Sequence, residues 1–187
     1  MELARAVLPT PLGDMIALDS GAGLAALEFC EPAARPARLE ARLGRFFPGA
    51  TPVERETPLL ARVRAWLDAY FAGASAEPFD GPLDLRGRPF ERQVWEALRA
   101  IPAGETRSYG EVAAAIGRPT ASRAVGAANG ANPAALIVPC HRVIGSTGSL
   151  TGYGGGLDRK RWLLGHERRW RRAAALPLAD HARASAP

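Results

Sequence analysis

The sequence predicts an α+β fold in two parts. Three observations carry that prediction: weakly alternating apolar segments with turn signals near the N-terminus, a helical stripe of apolar residues from Leu59 to Phe71, and a proline- and glycine-rich break from Glu77 to Pro89, beyond which the pattern turns helical. A domain boundary placed in that break gives a small N-terminal α/β unit over 1–84, a mostly helical unit over 85–170 and an Ala/Arg-rich tail over 171–187.

Leu3 to Leu8, Met15 to Leu18 and Leu24 to Phe29 are separated by Gly13-Asp14 and Gly21-Ala22-Gly23, which spells a small three-stranded antiparallel meander. Pro36 to Phe47 predicts a helix stopped near Pro48-Gly49. Thr57 suits an N-cap and Pro58 the first helical position, and Leu59, Leu60, Val63, Trp66, Leu67, Tyr70 and Phe71 then form one apolar stripe. Its spacing assigns these aromatics to packing rather than to base stacking. The break holds a short strand at most, around Leu83 to Leu85.

From Pro89 a helix carries Phe90, Val94, Leu98 and Ile101 on one face and ends at Pro102-Ala103-Gly104. Tyr109 to Ile116 predicts a short helix, Gly117-Arg118-Pro119 a tight turn, and Thr120 a cap for a helix running to about Asn129. Helix, short turn, helix is a helix-turn-helix outline, a pattern shared by many small helical domains. The second of these helices is unusual in carrying Ala121, Ala124, Gly126, Ala127, Ala128 and Gly130, with Arg123 as its one long side chain. Few side chains are left to read base edges, whereas small residues permit close backbone approach in a narrow groove. Close helix packing is the competing explanation. A further helix is expected from Leu157 to Trp170, ahead of a fraying tail.

Charge separates the two halves. Residues 1–85 carry 8 Arg against 12 acidic residues, or −4, and residues 86–172 carry 15 Arg plus Lys against 6 acidic residues, or +9. That asymmetry points the second half toward a polyanion, although a solvated basic face would look the same. No stretch is long and apolar enough for a membrane span and no signal pattern opens the chain, so a cytoplasmic protein without a membrane partner is expected. Two cysteines, Cys30 and Cys140, give no disulfide framework, and their spacing from His141, His166 and His181 fits no metal site. The single lysine, Lys160, among many arginines reads as composition bias.

Pro139-Cys140-His141-Arg142-Val143 is the stretch with chemical content. Ala135 to Val138 predicts a short buried strand ended by Pro139, with the thiol emerging at its terminus. A cysteine of ordinary pKa, about 8.5, is only slightly ionised at pH 7, so a nucleophile there needs activation. His141 is adjacent, but neighbours in extended chain face opposite ways, and contact requires a turn or a bridging water. Alone, the dipeptide favours a structural cysteine. A loop rich in glycine around Tyr153, from Gly145 to Gly156, suits a close-approach site, and Glu167 can orient His141 in a triad-like arrangement.

Asn132-Pro133, Pro139-Cys140-His141-Arg142-Val143, the Tyr153-Gly154-Gly155-Gly156 loop and Trp162-Leu163-Leu164-Gly165-His166-Glu167 together resemble the O6-alkylguanine-DNA alkyltransferase family, with the match running from about Pro89 to Glu167. The resemblance implies an N-terminal domain of ribonuclease H-like type and a C-terminal winged helix-turn-helix domain. It implies direct repair of double-stranded DNA, in which an alkyl group leaves guanine O6, or thymine O4, for the protein's own Cys140 in a single turnover. No cofactor, no metal and a monomeric protein are implied as well.

Residue by residue, it implies that His141, polarised by Glu167, takes the Cys140 proton through a water, and that Asn132 supports the turn holding the site. Arg123 matches the arginine that fills the gap left by a flipped base, and Tyr109 the tyrosine that crowds the phosphate. Val143, Tyr153, Gly154 and Gly155 would line the guanine pocket, and Ser122, Ala124 and Arg142 complete the expected substrate- and DNA-binding set, bound through the minor groove largely without sequence specificity. Two positions depart from the family pattern: Gly154 stands where many relatives carry serine, and Asn129 where an apolar residue is common. The N-terminal half matches more loosely and lacks the cysteine cluster of a metal-bound phosphotriester-repair domain. A damage-binding module without transfer activity, and a thiol hydrolase or transcription factor, are the competing readings.

Overall fold

The computed structural model describes residues 1–31, 34–74 and 77–175. β1 (Glu2–Leu8), β2 (Met15–Asp19) and β3 (Leu24–Phe29) form the expected antiparallel meander. The sheet is wider than three strands, because β4 (Thr51–Glu54) adds to β1 in parallel and gives the order β3-β2-β1-β4. Both faces are covered. Leu3, Leu18 and Ala26 pack on Leu39, Leu43 and Phe47 from α1 (Ala34–Phe46) and the residue after it, while Ala4, Leu8, Met15, Leu24 and Leu27 join the main core with α2 (Pro58–Ala72). Two-sided burial explains why the alternation in the sequence is weak: every residue of β3 is buried.

α2 follows its sequence signals closely. The Thr57 hydroxyl accepts from Leu60 N at 3.1 Å, Pro58 occupies the first turn, and Gly73 ends the helix in the left-handed conformation. The segment after it returns to the sheet. Leu83 forms a parallel bridge to Leu24 at the β3 edge, with Leu24 N donating to Pro82 O and Asp84 N to Leu24 O.

α3 (Pro89–Arg99), α4 (Tyr109–Ala115) and α5 (Ser122–Gly130) build the helical half, and Trp95 of α3 donates its indole N–H to Ala128 O of α5 at 2.9 Å. Ser108 caps α4 in a reciprocal box with Glu111. α5 begins later than expected: Ala121, not Thr120, is its N-cap, and no side chain caps it. β5 (Arg107–Ser108) and β6 (Val143–Ile144) pair in parallel beside the helices, and α6 (Leu157–Ala175) closes the chain. The helix thus runs past Trp170 into the segment expected as tail, of which residues 176–187 lie outside the described residues.

The two halves share one core and a strand-like seam. Leu27 N of β3 donates to Pro133 O at 2.8 Å, and Ala135 N donates back to Leu27 O at 2.7 Å, so the segment leading to Cys140 is laid along the sheet edge.

Candidate active site

The segment before Cys140 is not the strand its β-branched sequence predicts. Ala135 and Val138 bridge each other across a tight turn in which Leu136 has φ 72°, the only non-glycine positive φ among the described residues. Left-handed backbone costs a residue with a Cβ roughly 1–2 kcal/mol. Burial of Leu136 (2% exposed) and the hydrogen bonds of Ile137 N to Ala135 O and Val138 N to Ala134 O offset that cost. Asn132 locks the turn from inside, its Nδ2 donating to Val138 O at 2.7 Å and its Oδ1 accepting from Ala134 N at 2.9 Å.

Cys140, His141 and Arg142 then form a single 3-10 turn. This supplies the turn that adjacency of thiol and imidazole requires. Cys140 is 7% exposed and lines a cavity of about 300 Å³ together with Tyr109, Asn129, Asn132, Tyr153 and Gly154. Asn129, the polar departure in this wall, is buried and donates weakly to Cys140 O at 3.4 Å.

Behind the thiol lies a buried charge network. His141 and Glu167 are both fully buried, and His141 Nε2 donates to Glu167 Oε1 at 2.8 Å. Glu167 also receives Arg142 Nη2 at 2.8 Å, Arg142 Nε at 3.0 Å, Tyr70 OH at 2.8 Å and Gly104 N at 3.0 Å. Burial alone would raise the Glu167 pKa, but His141 and Arg142 outweigh it and hold the carboxyl well below the ordinary range. Burial pushes His141 down, against the pull of Glu167, so the imidazole rests neutral at pH 7. With Nε2–H committed to the carboxylate, the lone pair sits on Nδ1, which is buried and has no hydrogen-bond partner among the described residues. Nδ1 is therefore the atom able to take a proton.

Lys160, read from the sequence as composition, belongs to this site. It is fully buried, and its Nζ donates to Val143 O at 2.6 Å and Thr151 O at 2.7 Å. Burial lowers its pKa, with Cys140 acting in the opposite sense, which places the ammonium within electrostatic reach of the thiol. A cation near sulfur favours thiolate.

Two family descriptions match the chain: the 6-O-methylguanine DNA methyltransferase ribonuclease-like domain over residues 3–85 and the DNA-binding domain of the same family over residues 89–169. The chain belongs to the 6-O-methylguanine DNA methyltransferase family. The methylated-DNA–protein-cysteine methyltransferase of Mycobacterium leprae is 47% identical over 157 residues, 84% of this chain and 87% of the relative. That of Mycolicibacterium paratuberculosis is 65% identical over 114 residues, 61% of this chain and 68% of the relative. Among solved structures, Mycobacterium tuberculosis OGT in complex with DNA superposes with TM-score 0.74 at 44% identity, covering 91% of this chain and 94% of that one.

Most of the methyltransferase-type residues expected from sequence converge. Tyr109 opens α4 and its hydroxyl donates to Thr151 O at 3.3 Å across the cavity mouth. Tyr153 sits edge-on to His141 with ring centroids 6.4 Å apart, and a Cβ on Gly155 would come within 2.7 Å of the Tyr153 ring, so a side chain there would displace that wall. Val143 is buried, its carbonyl held by Lys160. Ser122 and Arg123 line a second, open hollow with Tyr109, Gly110, Gly126 and Ser146, and Ala124 is exposed on the same helix.

Arg142 is the exception. Expected among the substrate- and DNA-binding residues, it turns inward instead, its guanidinium pinned between Glu167 and Ile101 O at 2.5 Å. A side chain only 10% exposed, with its charge paired to Glu167 and Nη1 held on a carbonyl, is committed to the interior rather than presented to phosphate. Sequence reading also missed Arg38 of α1, which reaches Gly130 O at 2.7 Å on the cavity rim, and treated Tyr70 as packing alone.

Proposed function

We propose that this chain repairs alkylated DNA by moving an alkyl group from guanine O6, or thymine O4, to Sγ of Cys140. His141 Nδ1 takes the thiol proton, directly or through one water, while Glu167 holds the imidazole and stabilises its charged form. The thiolate attacks the alkyl carbon, the S–C bond forms as the C–O bond breaks, and the base leaves as an anion that recovers a proton. No step regenerates the thiol, so each molecule acts once. The observation that carries this reading is Cys140 on the wall of a base-sized cavity, backed by the buried His141–Glu167 pair, with the buried Lys160 ammonium anchored on the carbonyl of Val143 nearby in the chain.

An alkylated base within a duplex cannot reach a thiol at this depth, so the nucleotide must be extruded, at a cost of a few kcal/mol. Arg123, exposed at the start of α5 beside Tyr109, is suited to occupy the vacated stack, and Ser122 and Ala124 to meet the backbone. The small exposed residues of α5 favour close approach in the minor groove without sequence readout. On this reading the N-terminal unit spans 1–84 and the DNA-binding unit 85–170, and the protein acts as a cytosolic monomer without cofactor or metal. No described helix is long and apolar enough to cross a membrane.

Incubation with a duplex carrying O6-methylguanine, followed by mass spectrometry of the peptide containing Cys140, tests the proposal. The expected result is one methyl group on Cys140 and an equal loss of lesion. Intact lesion with unmodified Cys140 would refute it.

A further inference from the structure

Tyr70 lies in the third position from the C-terminal end of α2, within a stripe whose spacing marks it as core. Its ring is indeed core. It packs against Trp66, Phe71 and Trp170 with centroids 5.4, 5.3 and 5.0 Å away, and the residue is 2% exposed. Packing alone would be served as well by phenylalanine, because a hydroxyl in a core requires a partner. The partner here is Glu167 Oε1 at 2.8 Å, the same oxygen that receives His141 Nε2 and Arg142 Nη2. The Tyr70 carbonyl meanwhile accepts from Nε2 of His166, the residue beside Glu167 on α6, at 2.8 Å. One residue of the N-terminal half therefore grips α6 at two consecutive positions.

We propose that Tyr70 is a positioning residue for alkyl transfer, through which the N-terminal half fixes the orientation of the Glu167 carboxylate and sets how strongly it pulls on His141. The terminal torsion of a glutamate is broad, so a carboxylate held by fewer donors has more orientations to sample. Tyr70 OH adds a donor whose lever arm is anchored in a different part of the fold. It also takes up part of the charge on Oε1, which tempers the stabilisation of the imidazolium. The other ionisable groups facing this pair are Cys140, Arg142, Tyr153, Lys160 and His166. Burial and Glu167 hold the Tyr70 phenol far above its ordinary pKa, so it stays a proton donor at every pH at which the fold persists.

The inference rests on the same site as the proposed repair reaction, but its test needs no DNA. The rate of iodoacetamide alkylation at Cys140, read from its peptide across pH, reports formation of the thiolate–imidazolium pair. In Tyr70→Phe the aromatic packing stays and Oε1 loses only the hydroxyl, so the midpoint is expected to fall by about half a pH unit. Site-specific 3-fluorotyrosine at position 70, whose more acidic hydroxyl donates more strongly, is expected to move the midpoint the other way. Trp170→Phe, which disturbs the same packing but no donor, should leave it in place. Midpoints for Tyr70→Phe and 3-fluorotyrosine that coincide with the parent protein would overturn the proposal, and so would an equal shift in Trp170→Phe. Loss of methyl transfer from DNA in the parent protein would refute the repair reaction without touching this result.

Discussion

Replacing Glu167 with glutamine is the sharpest single test of the site. Glu167 is fully buried and accepts from four residues, His141, Arg142, Tyr70 and Gly104. An amide keeps the shape but turns one of the two oxygens into a donor. If the nitrogen takes the Oε1 position it faces the hydrogens of His141, Tyr70 and Arg142, and if it takes Oε2 it faces Gly104 N and Arg142 Nε. Either way a donor meets donors, and Arg142 becomes a buried cation without a counter-charge. Breaking a buried pair by neutralising one partner costs about 3–5 kcal/mol. In a protein of this size each kcal/mol shifts the melting temperature by roughly 2–4 °C, so Glu167→Gln should melt roughly 6–20 °C lower.

The effect on chemistry is separate and of similar size in free energy. Without the carboxylate, His141 loses both its fixed tautomer and the stabilisation of its charged form, and general-base assistance of this kind is worth about 10²–10⁴ in rate. Single-turnover methyl transfer from an O6-methylguanine duplex, quenched in time and counted on the Cys140 peptide, measures it well below the new melting temperature. A Glu167→Gln protein that melts with the parent and transfers within about threefold of its rate would refute the reasoning about this network.

Two further outcomes follow from the same geometry. Arg123→Ala should slow repair of the duplex far more than reaction with free O6-benzylguanine, because the exposed guanidinium at the start of α5 is asked to support extrusion and not transfer; equal losses on both substrates would remove that role. As pH falls, stability should drop in two steps. The His141 pKa is depressed in the folded state, so below its unfolded value of about 6.5 the unfolded chain binds the extra proton and unfolding gains. The Glu167 pKa is depressed too, and its contribution, complete above about 4.3, is lost as pH falls further. Melting temperatures measured from about pH 8 down to about pH 2 should decline across both windows, and His141→Gln should flatten the first.

Local signals made much of this fold legible. Thr57-Pro58 and the stripe to Phe71 specify α2 because cap, first-turn proline and periodicity agree, and Pro139 to Val143 exposes the chemistry because a thiol beside an imidazole is rare in an apolar run. The misses have a common physical origin. Ala135 to Val138 carries strand propensity, yet its backbone bonds are satisfied within a turn closed by Asn132 and seated on Leu27, contacts that no window of the sequence contains. Lys160 and Arg142 were misjudged for the same reason. A basic residue looks solvated until the acceptors that bury it are known, and Val143 O, Thr151 O and Ile101 O are backbone carbonyls with no side-chain signature. β4 escaped because Thr51–Glu54 is mostly exposed and joins only the sheet edge.

The charges around Cys140 suggest why one lysine sits among so many arginines. Arg142 and Glu167 form a pair with no net charge, which leaves the neutral His141 beside the Lys160 ammonium and the thiol. Moving the proton from Sγ to Nδ1 creates two charges, each with a counter-charge already in place: the thiolate toward Lys160, the imidazolium against Glu167. Separation of charge in a buried site is costly unless such partners are preorganised. A guanidinium at position 160 would bring five donors in a rigid plane to a space where two carbonyls accept, leaving buried N–H groups unsatisfied. The compact ammonium fits, spends two donors on Val143 and Thr151, and ties β6 to the Tyr153 loop as it does so. The same ammonium thus bridges the strand that follows Cys140 and the loop that carries Tyr153 into the cavity wall.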